Sequence, residues 1–255
     1  MDIRVLGCHG SQLPGYNMTS FLVDERILID AGTVTSALTS EEQSKIDYVF
    51  VTHAHLDHVR DIMLLADNIC YLHRATPLVV LSTPPIIEAL QTYLFNGIIW
   101  PDFSSIPDAV NPIVRFKAVL PGETIRLENL VVTVVMVNHI VETVGYVLTS
   151  ERGSVIFVGD TGPTEEIWRV ADGLQDLKAV FIETSLPDSQ KDLACASGHL
   201  TPSVLKGEIM KLRNHRPDFY LYHMKIQLRE SIRNEIAAID DMRLHVLHDG
   251  QNIRI

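Results

Sequence analysis

Short apolar runs rich in β-branched and aromatic residues recur along the chain, and stretches with helical spacing separate them. The runs of strand type are residues 48–52, 130–137, 155–158 and 219–222. A spacing of i, i+4, i+8 and i+11 gives one helical face that carries Leu228, Ile232, Ile236 and Ile239. Because strands and helices are interspersed, the pattern predicts mixed sheets covered by helices.

Two further segments carry more specific signals. Near the start, apolar runs at 3–6, 21–23 and 26–29, the last two joined by a polar turn, predict antiparallel hairpins. Later, Thr201 and Pro202 predict the N-cap and first residue of a helix that ends before Pro217. The inward side of that helix is predicted to carry Leu205, Ile209 and Leu212.

Composition adds mainly exclusions. The 255 residues are 46% hydrophobic, which rules out disorder and predicts a single domain over 1–255. A net charge of −11 disfavours binding to long nucleic acids, and no apolar run approaches the roughly 18 residues that a membrane helix needs. The widely spaced cysteines favour neither disulfides nor a thiolate metal site: Cys8, Cys70 and Cys195. We therefore expect a cytoplasmic protein without a membrane partner.

The strand at 48–52 runs directly into a segment with four metal-binding side chains in six residues. These residues are His53, His55, Asp57 and His58. Single histidines usually lie in solvated turns or cap helices, but this density favours metal binding. A loop that passes into a helix could direct two of the side chains to one point and two to a neighbouring point, so two metals are conceivable.

The other three strand-type runs end in the same way. They are followed by His139, Asp160 and His223. One such residue after a strand is more often a turn or cap residue. Because open α/β sheets place their sites beyond the carboxyl ends of strands, however, the coincidence favours one shared cleft.

With these residues in place, the sequence resembles the metallo-β-lactamase superfamily over nearly its whole length. The resemblance implies an α/β (α+β) fold, a four-layer αβ/βα sandwich of two mixed sheets flanked by helices. It further implies that His53, His55 and His139 bind one metal, that Asp57, His58 and His223 bind a second, and that Asp160 bridges them. Zinc is the first expectation for both ions, with iron or manganese as alternatives.

Several segments narrow the resemblance to class II 3′,5′-cyclic-nucleotide phosphodiesterases. They are residues 53–59, 94–103, 181–187, 197–201 and 222–225. The chain departs from the family signature that begins with the first of these segments. Asp61 stands where that family usually has a small residue, and Ala66-Asp67 stands where the signature ends in small residues. Within residues 94–103, Phe95, Trp100 and Phe103 are at least as consistent with core or lid packing as with contact to a base.

A further histidine lies just before the predicted helix start at Thr201. Exposed N–H groups at a helix start favour negative charge, so His199 is well placed near a phosphate. The resemblance implies that it is a proton donor and that Asp57 orients the attacking hydroxide while it binds metal. The remaining histidines are predicted to have surface or core roles, although His9 could line the cleft: His9, His73, His215, His245 and His248.

The resulting hypothesis is a dinuclear-metal phosphodiesterase that hydrolyses a small anionic phosphodiester. A cyclic nucleotide such as cAMP or cGMP, opened to the nucleoside 5′-monophosphate by a metal-generated hydroxide, is the expected substrate. The alternatives are a lactonase or thioesterase, a ribonuclease Z-like enzyme, and a non-hydrolytic di-iron oxygen or redox sensor. The sequence leaves open whether the protein is a homodimer.

Overall fold

Two seven-stranded sheets face each other in the computed structural model, which describes residues 1–72, 74–239 and 241–255. The strands are β1 (Asp2–Gly7), β2 (Ser20–Val23), β3 (Ile27–Ile29), β4 (Tyr48–Phe50), β5 (Leu78–Ser82), β6 (Val114–Ala118), β7 (Thr124–Leu127), β8 (Leu130–Met136), β9 (Val144–Ser150), β10 (Gly153–Phe157), β11 (Leu177–Glu183), β12 (Asp218–Tyr222), β13 (Leu244–Val246) and β14 (Asn252–Arg254). The first sheet has the order β14-β1-β2-β3-β4-β5-β6, and the second has the order β13-β12-β11-β10-β9-β8-β7.

Both sheets are mixed, and they are built alike. In the first sheet the strands from β14 to β3 pair antiparallel and those from β3 to β6 pair parallel. In the second sheet the strands from β7 to β10 pair antiparallel and those from β10 to β13 pair parallel. Each sheet thus combines a hairpin half with a half whose crossovers require helices.

Helices cover the outer faces of the two sheets. They are α1 (Ser40–Ser44), α2 (Leu56–Cys70), α3 (Pro84–Tyr93), α4 (Glu166–Asp172), α5 (Lys191–Ser197), α6 (Pro202–Ile209) and α7 (Arg229–Ala237), with short 3-10 helices at Asp188–Gln190 and Ile226–Leu228. One hydrophobic core joins the two sheets and reaches α2 and α3, and a second lies between the second sheet and α4, α6 and α7. The predicted sandwich of two mixed sheets flanked by helices is confirmed.

Most local predictions hold to within two residues at each end. The four strand-type runs form β4, β8, β10 and β12, and the first hairpins form as predicted. The helix predicted from Thr201 ends at Ile209, and Leu212 is buried beyond it. The Thr201 side chain does not cap that helix; instead a carboxylate oxygen of Asp188 accepts the Ser203 N–H at 2.9 Å. A long-range partner therefore replaced the predicted local cap.

Two hydrogen bonds join the sheets where β4 ends. The buried Tyr146 hydroxyl on β9 donates to the Val51 carbonyl at 2.6 Å, and the Val144 N–H donates to the Thr52 carbonyl at 2.9 Å. Because His53 follows Thr52 directly, these two bonds hold His53, the first residue of the predicted metal-binding segment, close to the second sheet.

Among the described residues, no helix combines the length and the apolar character needed to cross a bilayer.

Candidate metal centre

The structure brings together all seven side chains that the sequence singles out as metal ligands. They fall into two groups at the carboxyl ends of β4, β8, β10 and β12. The first group is His53, His55, His139 and Asp160, and the second is Asp57, His58 and His223. Within each group the donor atoms lie within 4.8 Å of one another. Residues that are far apart in sequence therefore line one cleft.

Asp160 lies between the two groups. Its Oδ2 atom is 3.7 Å from His53 Nε2, 3.4 Å from His58 Nε2 and 3.2 Å from His223 Nε2. In the first group, His53 Nε2 is 3.0 Å from Nδ1 of His55. In the second group, His223 Nε2 is 3.1 Å from Asp57 Oδ2. One carboxylate oxygen thus faces imidazole nitrogens of both groups.

Four of the imidazole rings are oriented through their Nδ1 atoms. His58 Nδ1 donates to Asp30 Oδ2 at 2.7 Å, and His53 Nδ1 donates to the Thr52 hydroxyl at 3.0 Å. His139 Nδ1 donates to the Gly198 carbonyl at 2.8 Å, and His223 Nδ1 donates to the Ser185 hydroxyl at 2.8 Å. Because a partner holds each Nδ1–H, Nε2 is the atom left to face the cleft, as is common in metal-binding histidines.

Asp30 is an important part of this arrangement that the sequence reasoning missed. It is 1% exposed, and besides His58 it accepts the Thr52 N–H and hydroxyl, each at 2.8 Å. Its backbone has a left-handed φ of 57°, which Asp tolerates better than most residues. A lone Asp after a three-residue strand carries no motif, so only the fold identifies its role.

Two glycines permit the close approaches that the site requires. A Cβ atom on Gly32 would lie 2.0 Å from the Asp57 carbonyl oxygen, so only glycine lets this loop pass the start of α2. Gly198 has a φ of +68°, and a Cβ there would lie 2.8 Å from His139 Nδ1. Both glycines therefore allow backbone to contact residues of the cluster directly.

Asp61, the departure from the phosphodiesterase signature, has a structural explanation. It is fully buried, and its Oδ2 accepts the N–H groups of Val34 and Thr35 at 2.7 and 2.8 Å, while its Oδ1 accepts from Arg60 at 2.9 Å. Asp61 thereby fastens the loop after β3 to α2. The negative charge of Asp61 is therefore satisfied by Val34, Thr35 and Arg60 within the fold.

Three histidines and two carboxyls of the cluster have pKa shifts that suit the binding of divalent cations. Burial lowers the pKa of His53, His55 and His139, which keeps these imidazoles in the neutral form that binds metals. Burial opposes ionisation of Asp57 and Asp160, but the neighbouring His223 and His58 outweigh it and hold the pKa of both carboxyls below the usual range. His53, His55 and His139 thus present neutral nitrogen donors, and Asp57 and Asp160 present anionic oxygen donors. His58 differs, because the carboxylates of Asp160 and Asp30 outweigh burial and raise its pKa well above the usual value.

Two buried atoms of the cluster have no hydrogen-bond partner among the described residues. They are Asp160 Oδ1 and His139 Nε2. Buried polar atoms normally find a partner, and a bound metal ion is a recognised reason for an exception. Five imidazoles and two carboxylates would leave two divalent ions with a net charge of about +2, so the donor set fits such ions and would attract an anion.

His199 lies at the edge of the cluster. Its ring centroid is 5.1 Å from that of His139 and 5.4 Å from that of His223. Its Nδ1–H donates at 2.7 Å to Oε1 of Glu183, which is fully buried. Burial lowers the pKa of His199, but the charge and hydrogen bond of Glu183 outweigh burial and raise the pKa above its usual value.

Glu183 is a second residue whose role the sequence reasoning missed. Besides His199, it accepts the N–H of Thr161 at 3.0 Å, the Ser185 hydroxyl at 2.6 Å and the Leu200 N–H at 3.3 Å. The segment that contains Glu183, residues 181–187, resembles the phosphodiesterases, but nothing in that segment indicates that Glu183 contacts His199. Four hydrogen bonds hold this carboxylate rigidly behind His199.

The remaining candidates lie away from the metal-binding atoms. Phe95 and Phe103 are buried in the first core and Trp100 packs against it, so these aromatic rings contribute to packing. His9 is buried beside Cys8. His73 lies outside the described residues.

The chain belongs to the beta-lactamase superfamily domain family, whose model matches residues 25–224. Among curated proteins, it is 27% identical to a probable 3′,5′-cyclic-nucleotide phosphodiesterase of Yersinia pestis, over 84% of this chain and 73% of the relative. It is 23% identical to a 3′,5′-cyclic-nucleotide phosphodiesterase of Aliivibrio fischeri, over 98% and 91%. The crystal structure of unliganded yeast PDE1 superposes with a TM-score of 0.85 at 18% identity, covering 100% of this chain and 99% of that one. These findings establish a metal-dependent hydrolase fold that is similar to phosphodiesterases.

Proposed function

We propose that this protein is a dinuclear phosphodiesterase that hydrolyses a 3′,5′-cyclic nucleotide to the nucleoside 5′-monophosphate. The observation that carries the proposal is the position of Asp160 Oδ2 between the two donor groups, next to the His199–Glu183 pair. The phosphodiesterase relatives support a small phosphodiester as substrate. The net charge of −11 argues against long nucleic acids as substrates.

In this proposal His53, His55 and His139 would hold one ion, Asp57, His58 and His223 would hold the other, and Asp160 would be shared between them. Two bound divalent ions would supply Lewis-acid polarisation of a phosphoryl oxygen and lower the pKa of water toward about 7. Zinc suits these ligands first, with iron or manganese as alternatives. The hydrogen bonds at Nδ1 position the rings before any ligand binds.

His199 is proposed to donate a proton to the departing 3′-oxygen. Glu183 accepts the Nδ1–H of His199, so Nε2 is the nitrogen left to carry a proton toward the substrate. An alkoxide is a poor leaving group, and a positioned general acid contributes about 10²- to 10⁴-fold to such a step. Asp57, whose Oδ2 is 3.1 Å from His223 Nε2, is proposed to orient the attacking water.

Turnover of a substrate panel tests this function. Chelator-stripped protein is reconstituted with zinc, iron(II) or manganese and assayed on cyclic AMP, cyclic GMP, a chromogenic phosphodiester and a lactone. Hydrolysis of a cyclic nucleotide to the 5′-monophosphate is expected. Hydrolysis of the lactone alone would contradict the proposal in favour of an acyl hydrolase.

The variant His199→Ala tests the proton donor. Turnover of cyclic nucleotide should fall about 10²- to 10⁴-fold. Turnover of a phosphodiester with a nitrophenolate leaving group should fall much less, because that group departs without a proton. Bound metal should not change. An equal loss on both substrates would refute the assigned role.

The single domain over 1–255, the cytoplasmic location and the oligomeric state stay predictions from the sequence.

A further inference from the structure

A second set of metal-binding residue types lies near His223, where the loop after β1 meets the turn before β14. Cys8 and His9 follow β1 directly, and Asp249 precedes β14. One donor atom from each lies within 4.8 Å of the others. Cys8 and His9 are 2% and 6% exposed, so the set is buried.

The three donor atoms form a triangle of regular size. Cys8 Sγ is 3.3 Å from Asp249 Oδ1 and 3.7 Å from His9 Nε2, and His9 Nε2 is 3.6 Å from Asp249 Oδ1. In a tetrahedral zinc site, with sulfur at about 2.3 Å and nitrogen or oxygen at about 2.1 Å from the ion, donors are about 3.4 to 3.6 Å apart. The triangle therefore matches one face of such a tetrahedron.

The nitrogen of His9 that faces the triangle makes only long contacts with the other two residues. The Nδ1 atom of His9 has no hydrogen-bond partner among the described residues. The Nε2 atom lies 3.7 Å from the Cys8 sulfur, which is within reach of a weak hydrogen bond, and 3.6 Å from Asp249 Oδ1, which is beyond the roughly 3.2 Å limit of a good N–H···O bond. An ion at the centre of the triangle would replace these long contacts of Nε2 with a direct bond, whereas Nδ1 lies on the opposite side of the ring.

The same geometry excludes a nucleophilic cysteine. In a catalytic triad the nucleophile and the carboxylate contact opposite nitrogens of the imidazole. Here Cys8 Sγ and Asp249 Oδ1 both face Nε2 of His9. Cys8 is also too buried to reach a substrate. The arrangement is that of a ligand set.

We propose that Cys8, His9 and Asp249 bind a divalent ion of zinc type, separate from the seven-residue cluster. Thiolate, imidazole and carboxylate together suit zinc, and the two anionic ligands would neutralise its charge. The sequence alone does not predict this site. Asp249 is 241 residues away from Cys8 in sequence, and the pairing of β1 with β14 brings the two residues together.

The site would fix backbone that supports the seven-residue cluster. The Cys8 carbonyl accepts the His223 N–H at 2.7 Å, and Asp249 Oδ2 accepts the Asn17 N–H at 2.8 Å. An ion bound here would therefore join the loop after β1 to the turn before β14, near His223.

Cobalt(II) substitution tests the proposal through a signal that the seven-residue cluster cannot give, because that cluster contains no sulfur. Chelator-stripped protein is titrated with cobalt(II), and thiolate-to-cobalt charge transfer is followed in the near ultraviolet. Wild type should show the band. Cys8→Ser should lose it together with one equivalent of bound cobalt, whereas the exposed-cysteine control Cys195→Ser should keep both.

A second variant protects against a folding defect in Cys8→Ser. Asp249→Asn retains the thiol, and the cobalt concentration that half-saturates the band should rise at least about tenfold. No band in wild type, a band that persists in Cys8→Ser, or an unchanged half-saturation in Asp249→Asn would each overturn the proposal. Far-ultraviolet circular dichroism establishes that each variant is folded.

Discussion

The two sheets contribute to the candidate metal centre in different ways. The first sheet supplies four residues from a single segment, 53–58, at the end of β4. The second sheet supplies His139, Asp160 and His223 from the ends of three separate strands. One contribution is local in sequence, and the other exists only when β8, β10 and β12 are in register.

The difference extends to the groups that orient the rings. On the first sheet one carboxylate, Asp30, orients His58 directly and His53 through Thr52. On the second sheet each ring has its own partner, which is Gly198 for His139 and Ser185 for His223. Substitutions on the first sheet should therefore disturb both groups, whereas those behind single rings of the second should disturb one.

Removal of the shared carboxylate should have the largest effect. In Asp160→Ala both groups lose the oxygen that faces them, so at least one ion should be lost and turnover should fall to background. Metal content by mass spectrometry and the cyclic-nucleotide assay measure this. Asp192→Ala, which removes an exposed carboxylate on α5, is the matched control. An Asp160→Ala protein with full metal content would contradict the bridging role.

Removal of the charge on Asp30 should have the next largest effect. Asp30→Asn keeps the shape but weakens the hold on two imidazoles, and loss of such a partner typically costs about 10- to 100-fold in metal affinity. Competition with a chromogenic chelator should show weaker binding at both positions. Asp24→Asn, in the exposed β2–β3 turn, should leave affinity unchanged. If Asp30→Asn weakens metal binding at only one position, Asp30 does not orient the histidines of both groups.

Ser185→Ala should have the smallest effect. It removes the hydrogen bond to His223 Nδ1, worth about 0.5 to 1.5 kcal/mol, together with the bond that the same hydroxyl donates to Glu183. Metal affinity at the position that contains His223 should therefore fall about 2- to 10-fold. The same competition assay measures it. Ser197→Ala is the control, since that hydroxyl bonds only to carbonyls of its own helix. Equally weaker metal binding at both positions would contradict the inference that His139 and His223 have separate hydrogen-bond partners.

The same contrast explains how much could be predicted from the sequence. The segment 53–58 is dense enough to predict by itself, and the residues that end β8, β10 and β12 were found because each follows a clear apolar run. Two ring partners, Asp30 and Glu183, were not predicted, and neither were the strands β5, β6, β7, β9, β11, β13 and β14. Asp30 contacts His58, 28 residues away, and Glu183 contacts His199, 16 residues away, and no local sequence pattern encodes either contact.

The single oxygen of Asp160 that serves both groups also affects how the centre would fill. A cation bound on either side would consume most of that negative charge, and the next would meet a weaker anion as well as the repulsion of the first. Titration should then give two unequal affinities. A preparation grown with scarce metal would be a mixture of half-filled molecules whose specific activity understates that of the complete enzyme.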